Sequence, residues 1–470
     1  MTRFVCAVAA LVLGVVSFDV AADPLGTDQA AFRALYKELV EINTSLSADN
    51  CVGAVKAMAD RLKAAGFSDA DIHLIAPPDR PTKANLVAVL HGSDSKAKAI
   101  LLLAHIDVVE AKREDWVRDP FTLIEEDGYF YGRGTADDKA MAAIFVDAMV
   151  RYKKSGYRPV RDVKLALTCG EETPNDFDGA KYLVENHREL IDAELALNEG
   201  AGGRMSPDGQ RIYNGVQAGE KVYQDFRLEV TNPGGHSSRP VKDNAIYQLA
   251  AGLTRLSAYQ FPIEFNDATR GYFERMSKIE TGQTAADMHA ILSTPPDADA
   301  LARIIANPSY NSILHTTCVA TMLNGGHAPN GLPQRAGANI NCRIFPGTTQ
   351  DEVRMTLERI VDDPAIKVTF VDPPEKVSPA PPLTKAILEP IEKITQKMWP
   401  GVPVVPTMAA GATDGRFLTP GGIPTYGVSG IFADPETTNA HGLNERVRVQ
   451  SLYEGREFLD QLIKAYAGER

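Results

Sequence analysis

AILLLAHIDVV, residues 99–109, sets an unbroken apolar run ahead of an imidazole and a carboxylate. A short run with no polar residue on either alternation reads as a strand buried on both faces. That is the mark of a parallel sheet lying between two layers of helix. In such sheets, reactive groups gather where strands run out into loops at their carboxyl ends. His105 stands at that place. Asp107, two residues on, projects to the same side in extended chain.

Working outward, amphipathic helices alternate with short apolar strands from Thr27 to about Ala218. Helices are expected from Thr27 to about Ile42, from Val52 to near Gly66, and from about Asp138 to Gly156, with strands at Asn85–Leu90 and Ala99–Leu103. Glu126-Asp127-Gly128 suits a hairpin turn with positive φ. Strands Val163–Thr168 and Ala193–Leu197 bracket a helix near Gly179–His187. The texture changes near Val222. There VYQDFRLEV leads into TNPGGHSSRP, helical material through Ala302, strands at Thr316–Leu323 and Ala336–Phe345, a helix at Gln350–Val361 and a strand at Lys367–Val371. The proline-rich DPPEKVSPAPP at 372–382 reads as a return linker, after which helix and strand resume. The expected fold is α/β, a mixed, mostly parallel sheet flanked by helices, with a smaller α+β domain inserted. The boundaries are a first catalytic part at 23–218, the insertion at 219–376 and a second catalytic part at 377–470.

Residues 1–22 read as a secretory signal peptide. Met-Thr-Arg precedes an apolar run from Phe4 to Phe18, and Val20-Ala21-Ala22 forms a small-x-small cleavage site. The run is short for a membrane span and Asp19 closes it, so the expected product is exported, periplasmic or secreted, with no membrane association after cleavage. A length of 470 residues exceeds one compact core. A net charge of −12 argues against nucleic acid as a partner, because phosphate binding needs concentrated Lys and Arg. Cys51, Cys169, Cys318 and Cys342 lack CxxC spacing, which argues against a thiolate zinc site. Cys169 and Cys342 lie in apolar runs and are expected as buried thiols, although an exported chain also permits a disulfide that the sequence does not pair.

Other acids and imidazoles repeat the placement of His105. Asp137 lies in GRGTADDK (132–139) just before a helix, Glu171 and Glu172 follow the strand KLALTC, Glu199 sits in LNEG (197–200), and His441 lies in NAHGLNE (439–445). Each has an ordinary reading alone: His105 a buried histidine paired with Asp107, Asp137 a helix N-cap, the glutamates surface acids, His441 a solvated loop residue. Together, two imidazoles and three carboxylates, with one carboxylate to spare, are what two zinc ions and a general base require.

The motifs LLLAHIDVV, GRGTADDK, GEE, NEG, GGHSS, NCRIFPG and NAHG, in this order across nearly the whole chain after the signal, resemble the di-zinc metallopeptidase family of aminoacylase, carboxypeptidase S and bacterial glutamate carboxypeptidase. The resemblance implies a zinc-exopeptidase-like catalytic fold carrying an inserted lid and dimerisation domain, and two Zn²⁺ per chain. It implies that His105 and Glu199 hold one zinc, His441 and Glu172 the other, and that Asp137 bridges them. Glu171 would move protons as the catalytic base and Asp107 would orient His105. His236 of GGHSS would stabilise the oxyanion, often across a homodimer. Asn330 of HAPNGLP would contact substrate, and Arg343 of NCRIFPG would hold the substrate carboxylate, a task suited to a planar guanidinium. The implied substrates are small peptides cut at the carboxyl end, dipeptides, or N-acyl amino acids. The stretch from Arg239 to about Ile313 is long for the compact members and is expected to bear on the specificity pocket.

Rival readings fare less well. Tyr426-Gly-Val-Ser-Gly-Ile431 lacks the final glycine of a nucleophile elbow, and no His-Glu pair begins an HExxH zinc helix. A binding module that has lost its metals is the rival from another class; retention of every ligand and of Glu171 counts against it.

Overall fold

The computed structural model describes residues 26–173, 176–435 and 438–468; the expected signal peptide lies outside them. Ile100–His105 forms a strand buried at every position, as its composition requires. It runs parallel to Val163–Thr168 on one side and to Leu195–Asn198 on the other. Thr425–Gly427 continues the parallel centre beyond Leu195–Asn198. Farther out the pairing turns antiparallel, through Asn85–Leu90 and Ile72–Ile75 on one flank and Arg211–Glu220 on the other. The result is a mixed ten-stranded sheet, parallel where His105, Glu171, Glu172 and Glu199 leave it.

Helices Thr27–Glu41, Cys51–Ala64, Lys139–Ser155 and Val449–Ala467 pack on this sheet around a core that includes Tyr36, Phe145, Tyr152 and Phe458. Gly156 closes the helix Lys139–Ser155 in a left-handed conformation, φ 70°, that lets the chain turn back. The hairpin at Asp127-Gly128 forms with φ 50° and 78°, joining Ile124–Glu126 to Tyr129–Tyr131.

A second, four-stranded antiparallel sheet has the order Thr317–Gly325, Arg335–Ile344, Val222–Thr231, Ile366–Phe370. Its inner face and the helices Ala245–Ala258 and Gln350–Val361 share a separate core of Phe226, Leu228, Ile340, Leu357 and neighbours. Glu220 and Lys221 stand where the chain leaves one sheet for the other. Glu220 Oε2 accepts from the Thr413 amide and hydroxyl at 2.8 and 2.9 Å. The fully buried Lys221 ammonium donates to Ser312 O, His315 O and Thr317 Oγ1 at 2.9–3.0 Å. Burial pushes that amine down to about 7.

Two expectations are corrected. Helices between Asp267 and Ser312 do not reach the cleft described below. Phe273, Met276, Met288 and Ile304 pack instead with Val405 of the strand Val404–Ala409, on the edge of the main sheet. The apolar spacing of those helices specified burial without specifying which sheet would receive them. The cysteines expected as thiols are oxidised: Cys51 bonds Cys169, and Cys318 bonds Cys342 across the paired strands of the smaller sheet. Partners 118 residues apart cannot be matched by spacing alone. The Cys51–Cys169 bond closes a long loop, so replacing both residues by alanine is expected to lower stability by about 2–5 kcal/mol. A denaturation midpoint equal to that of the unaltered protein would mean that the two residues contribute only packing.

Candidate metal centre

His105 ends its strand with a side chain only 1% exposed. Its Nδ1 donates to the main-chain carbonyl of Asp107 at 3.0 Å, which turns Nε2 toward Asp137 Oδ1 at 3.0 Å and Glu199 Oε1 at 3.7 Å. The other oxygen of Asp137 lies 3.2 Å from His441 Nε2, and that nitrogen is 3.0 Å from Glu172 Oε2. Two triads result, His105–Asp137–Glu199 and Asp137–Glu172–His441. Within each, one donor atom per residue lies within 4.8 Å of the others. Asp137 belongs to both.

Local structure explains each placement. Asp138, not Asp137, takes the N-cap position of the helix Lys139–Ser155, which leaves Asp137 outside the helix and facing the histidines. Glu171 and Glu172 lie in the turn after Val163–Thr168. The Asp107 carboxylate accepts both of their amides, at 3.3 and 3.0 Å. That carboxylate is 3.8 Å from His105 Nδ1, so Asp107 orients the histidine by its carbonyl and the glutamate turn by its side chain. Glu199 follows Leu195–Asn198, and Gly427 admits it closely; a Cβ at 427 would stand 2.2 Å from the Glu199 carbonyl. His441 adopts φ 60°, in a left-handed region that histidine enters more readily than most residues.

The electrostatics are those of crowded acids. Burial pushes Glu171 up to about 7, helped by Glu172, and raises Glu199 well above the carboxylate range. For His105, burial works downward, but Glu199 and Asp137 overcome it and hold the ring well above its ordinary value. Hydrogen bonds to the Asp137 and Glu172 carboxylates raise His441 to about 10. Asp137 shows the reciprocal effect: burial is outweighed by the two histidines, which hold it below the usual range. A cation in either triad would displace the imidazole protons and balance the carboxylates, so binding there would release protons. The donor set fits. Imidazole nitrogen and carboxylate oxygen are zinc ligands, and two divalent cations against three carboxylates nearly cancel.

A cleft of about 1230 Å³ opens beside these groups, walled by Glu171, Glu199 and His441 and by Tyr223 and Arg343 of the smaller sheet. Arg343 lies over the Tyr223 ring at 4.7 Å, and no carboxylate among the described residues forms an ion pair with it. His236 and Asn330 are brought together elsewhere, on the short ribbon of Gly235–His236 and Gly331–Leu332, where Ser237 N donates to Asn330 O at 3.0 Å. His236 is exposed and neither residue lines the cleft.

Sequence reasoning missed the segment after Val404–Ala409. Thr413 and Arg416 join the cleft wall, Arg416 pairs with Asp178 at 2.9 Å, and buried Asp414 accepts from Thr168 Oγ1 at 2.6 Å. Its signal was the one used elsewhere, an apolar strand running out into a charged loop, here interrupted by Gly and Ala.

The model of Peptidase family M20/M25/M40 matches residues 101–465. The chain is 30% identical over 384 residues to the human N-fatty-acyl-amino acid synthase/hydrolase, covering 80% of this chain and 75% of that protein. In fold it is similar to an M20 family metallo-carboxypeptidase of Sulfolobus solfataricus, with TM-score 0.68 and 18% identity, covering 94% of this chain and 100% of that one. It is likewise similar to a dinuclear metal-binding M20 peptidase of Bacillus subtilis, with TM-score 0.60 and 12% identity over 93% of this chain and 97% of that one. With a match over most of its length and every donor of two metal triads in place, the chain belongs to Peptidase family M20/M25/M40 and is a metal-dependent amide hydrolase.

Proposed function

We propose that the protein is an exported di-zinc exopeptidase of carboxypeptidase type, cleaving small peptides or dipeptides next to a free carboxylate. The observation that carries this reading is Arg343, without an ion-pair partner among the described residues, on the wall of the cleft that opens beside two triads sharing Asp137. A half-buried guanidinium with no ion-pair partner among the described residues is free to take an anion, and a planar fork favours a bidentate one. Similarity to the N-fatty-acyl-amino acid synthase/hydrolase favours a second reading, an N-acyl amino acid as substrate, which presents the same carboxylate to Arg343. Export rests on the leader-like composition of residues 1–22 and on the two disulfides, which suit an oxidising compartment.

His105 and Glu199 would hold one zinc, His441 and Glu172 the other, and Asp137 would serve both. The pair would supply Lewis acidity to the amide carbonyl and acidify water at neutral pH. Glu171, adjacent to one ligand yet absent from both triads, takes the proton from the attacking water and passes it to the leaving nitrogen. Its raised affinity for a proton suits both halves of that task. Asp107 keeps Glu171 in place through its amide. The four-stranded sheet, with its helices Ala245–Ala258 and Gln350–Val361, acts as a lid carrying Arg343. His236 and Asn330, away from the cleft of their own chain, act on a partner subunit's substrate. The outer strand Thr317–Gly325, with Val319, Met322 and Leu323 exposed at 59%, 71% and 70%, offers the edge for such a dimer.

Glu171→Gln should retain two zinc ions by elemental analysis while kcat falls by about 10²–10⁴; unchanged turnover would remove Glu171 as the base. Arg343→Ala should raise KM about 10–100-fold for substrates ending in a carboxylate, the worth of a charged hydrogen-bonded pair, and leave their C-terminal amides untouched. Equal losses on both would refute carboxylate recognition. Mixing a His236→Ala chain with a Glu199→Ala chain, each inactive alone, should restore part of the activity in mixed dimers; failure to do so would confine His236 to its own subunit.

A further inference from the structure

Glu445 is four residues beyond His441 and fully buried. Its carboxylate reaches across to the loop that carries Asp137. Oε2 accepts from Arg133 Nη1 at 2.6 Å and from the Gly134 amide at 3.0 Å. Oε1 accepts from the Ala136 amide at 2.8 Å and from the Asp137 amide at 3.0 Å. Arg133 returns the tie by donating to Gly442 O at 2.8 Å, next to His441. One side chain therefore joins the segment bearing the shared aspartate to the segment bearing one of its histidines.

We propose that Glu445 is a positioning residue of the metal centre, its two oxygens clamping the Gly132–Asp137 loop so that the Asp137 carboxylate stands at the separation from His441 where it serves both cations. The inference rests on the metal reading of the two triads and adds a residue that binds neither cation. Only a carboxylate meets the demand, because all four contacts are donors aimed at it. An amide would turn its own N–H₂ against one pair of them. The backbone around the clamp has other support: Arg446–Arg448 pairs with Tyr129–Tyr131, and Gly132 N donates to Glu445 O at 3.1 Å. Loss of the side chain acceptors should therefore loosen Asp137 before it unfolds the region.

The test compares the whole protein with Glu445→Gln by competition for Zn²⁺ against a chromogenic chelator, and by the visible d–d spectrum after Co²⁺ loading. Glu445→Gln should bind zinc about 10–100-fold more weakly, as loss of a group that orients metal ligands does, with a changed cobalt spectrum. Val447→Ala, a buried control on the neighbouring strand, removes packing but no contact to the loop. It should keep zinc affinity within about threefold even where its thermal midpoint falls as far. Glu445→Asp, which keeps the charge but shortens the reach, should lie between, and it replaces the glutamine variant if that chain does not fold. Wild-type affinity and spectrum in Glu445→Gln, or an equal loss in Val447→Ala, would overturn the inference while leaving the metal reading intact. If the unaltered protein fails to bind two zinc ions, the metal reading falls and the clamp with it.

Discussion

The two oxygens of Asp137, one against each histidine, are the contact on which the rest of this molecule depends. Five segments far apart in the chain must converge for it to exist: the end of one parallel strand, a loop ahead of a helix, the turn after a second strand, the end of a third, and a left-handed loop near the carboxyl terminus. A parallel sheet makes that convergence cheap, since its strand ends already share one edge. What remains is the expense of gathering three carboxylates in a half-buried place. Crowding shows in the proton affinities it produces: Glu199 and Asp137 raise that of the His105 ring, and burial raises those of the Glu171 and Glu199 carboxyls. Such an arrangement is poorly satisfied by protein alone and is well matched to divalent cations.

The cleft lies between two bodies with separate cores, and the passage between them is short and firmly tied. Glu220 is fastened to the main sheet's Thr413 loop, while Lys221, one residue on, is fastened to the carbonyls at 312 and 315. The third acceptor of Lys221 is Thr317 Oγ1 at the start of the smaller sheet's outer strand, so adjacent residues tie the main sheet and the smaller one. Arg343 belongs to one body and the triads to the other, so a molecule touching both must span the join.

Much of this was legible in the chain because the decisive signals are local. Ile100–His105 is apolar on both faces and can only be a central strand, and the helix Gln350–Val361 begins at Thr349, whose capping box with Glu352 is written three residues apart. The ligand residues could be found because each follows such a strand or precedes such a helix. What was not legible depends on contacts between distant segments. Nothing near Cys51 names Cys169. Asp107 was read as the partner of His105, whereas its carboxylate holds the amides of Glu171 and Glu172, a preference fixed by how a turn more than sixty residues later folds back. Nothing local marks Glu445 either, because its four donors lie in a segment some three hundred residues earlier.

The helices between Asp267 and Ser312 have a consequence for how copies of this chain can meet. Among the described residues Val404–Ala409 pairs with one strand, Arg211–Glu220, and would otherwise leave a row of backbone donors and acceptors open. Helix Asp267–Met276 lies along that margin, and Arg275 Nη1 occupies the Val404 carbonyl at 2.5 Å. The large sheet is therefore sealed against strand-by-strand accretion on that border. Among the described residues the outer strand Thr317–Gly325 of the small sheet also pairs with one strand alone, and with Val319, Met322 and Leu323 exposed it stays open to extension where Val404–Ala409 does not.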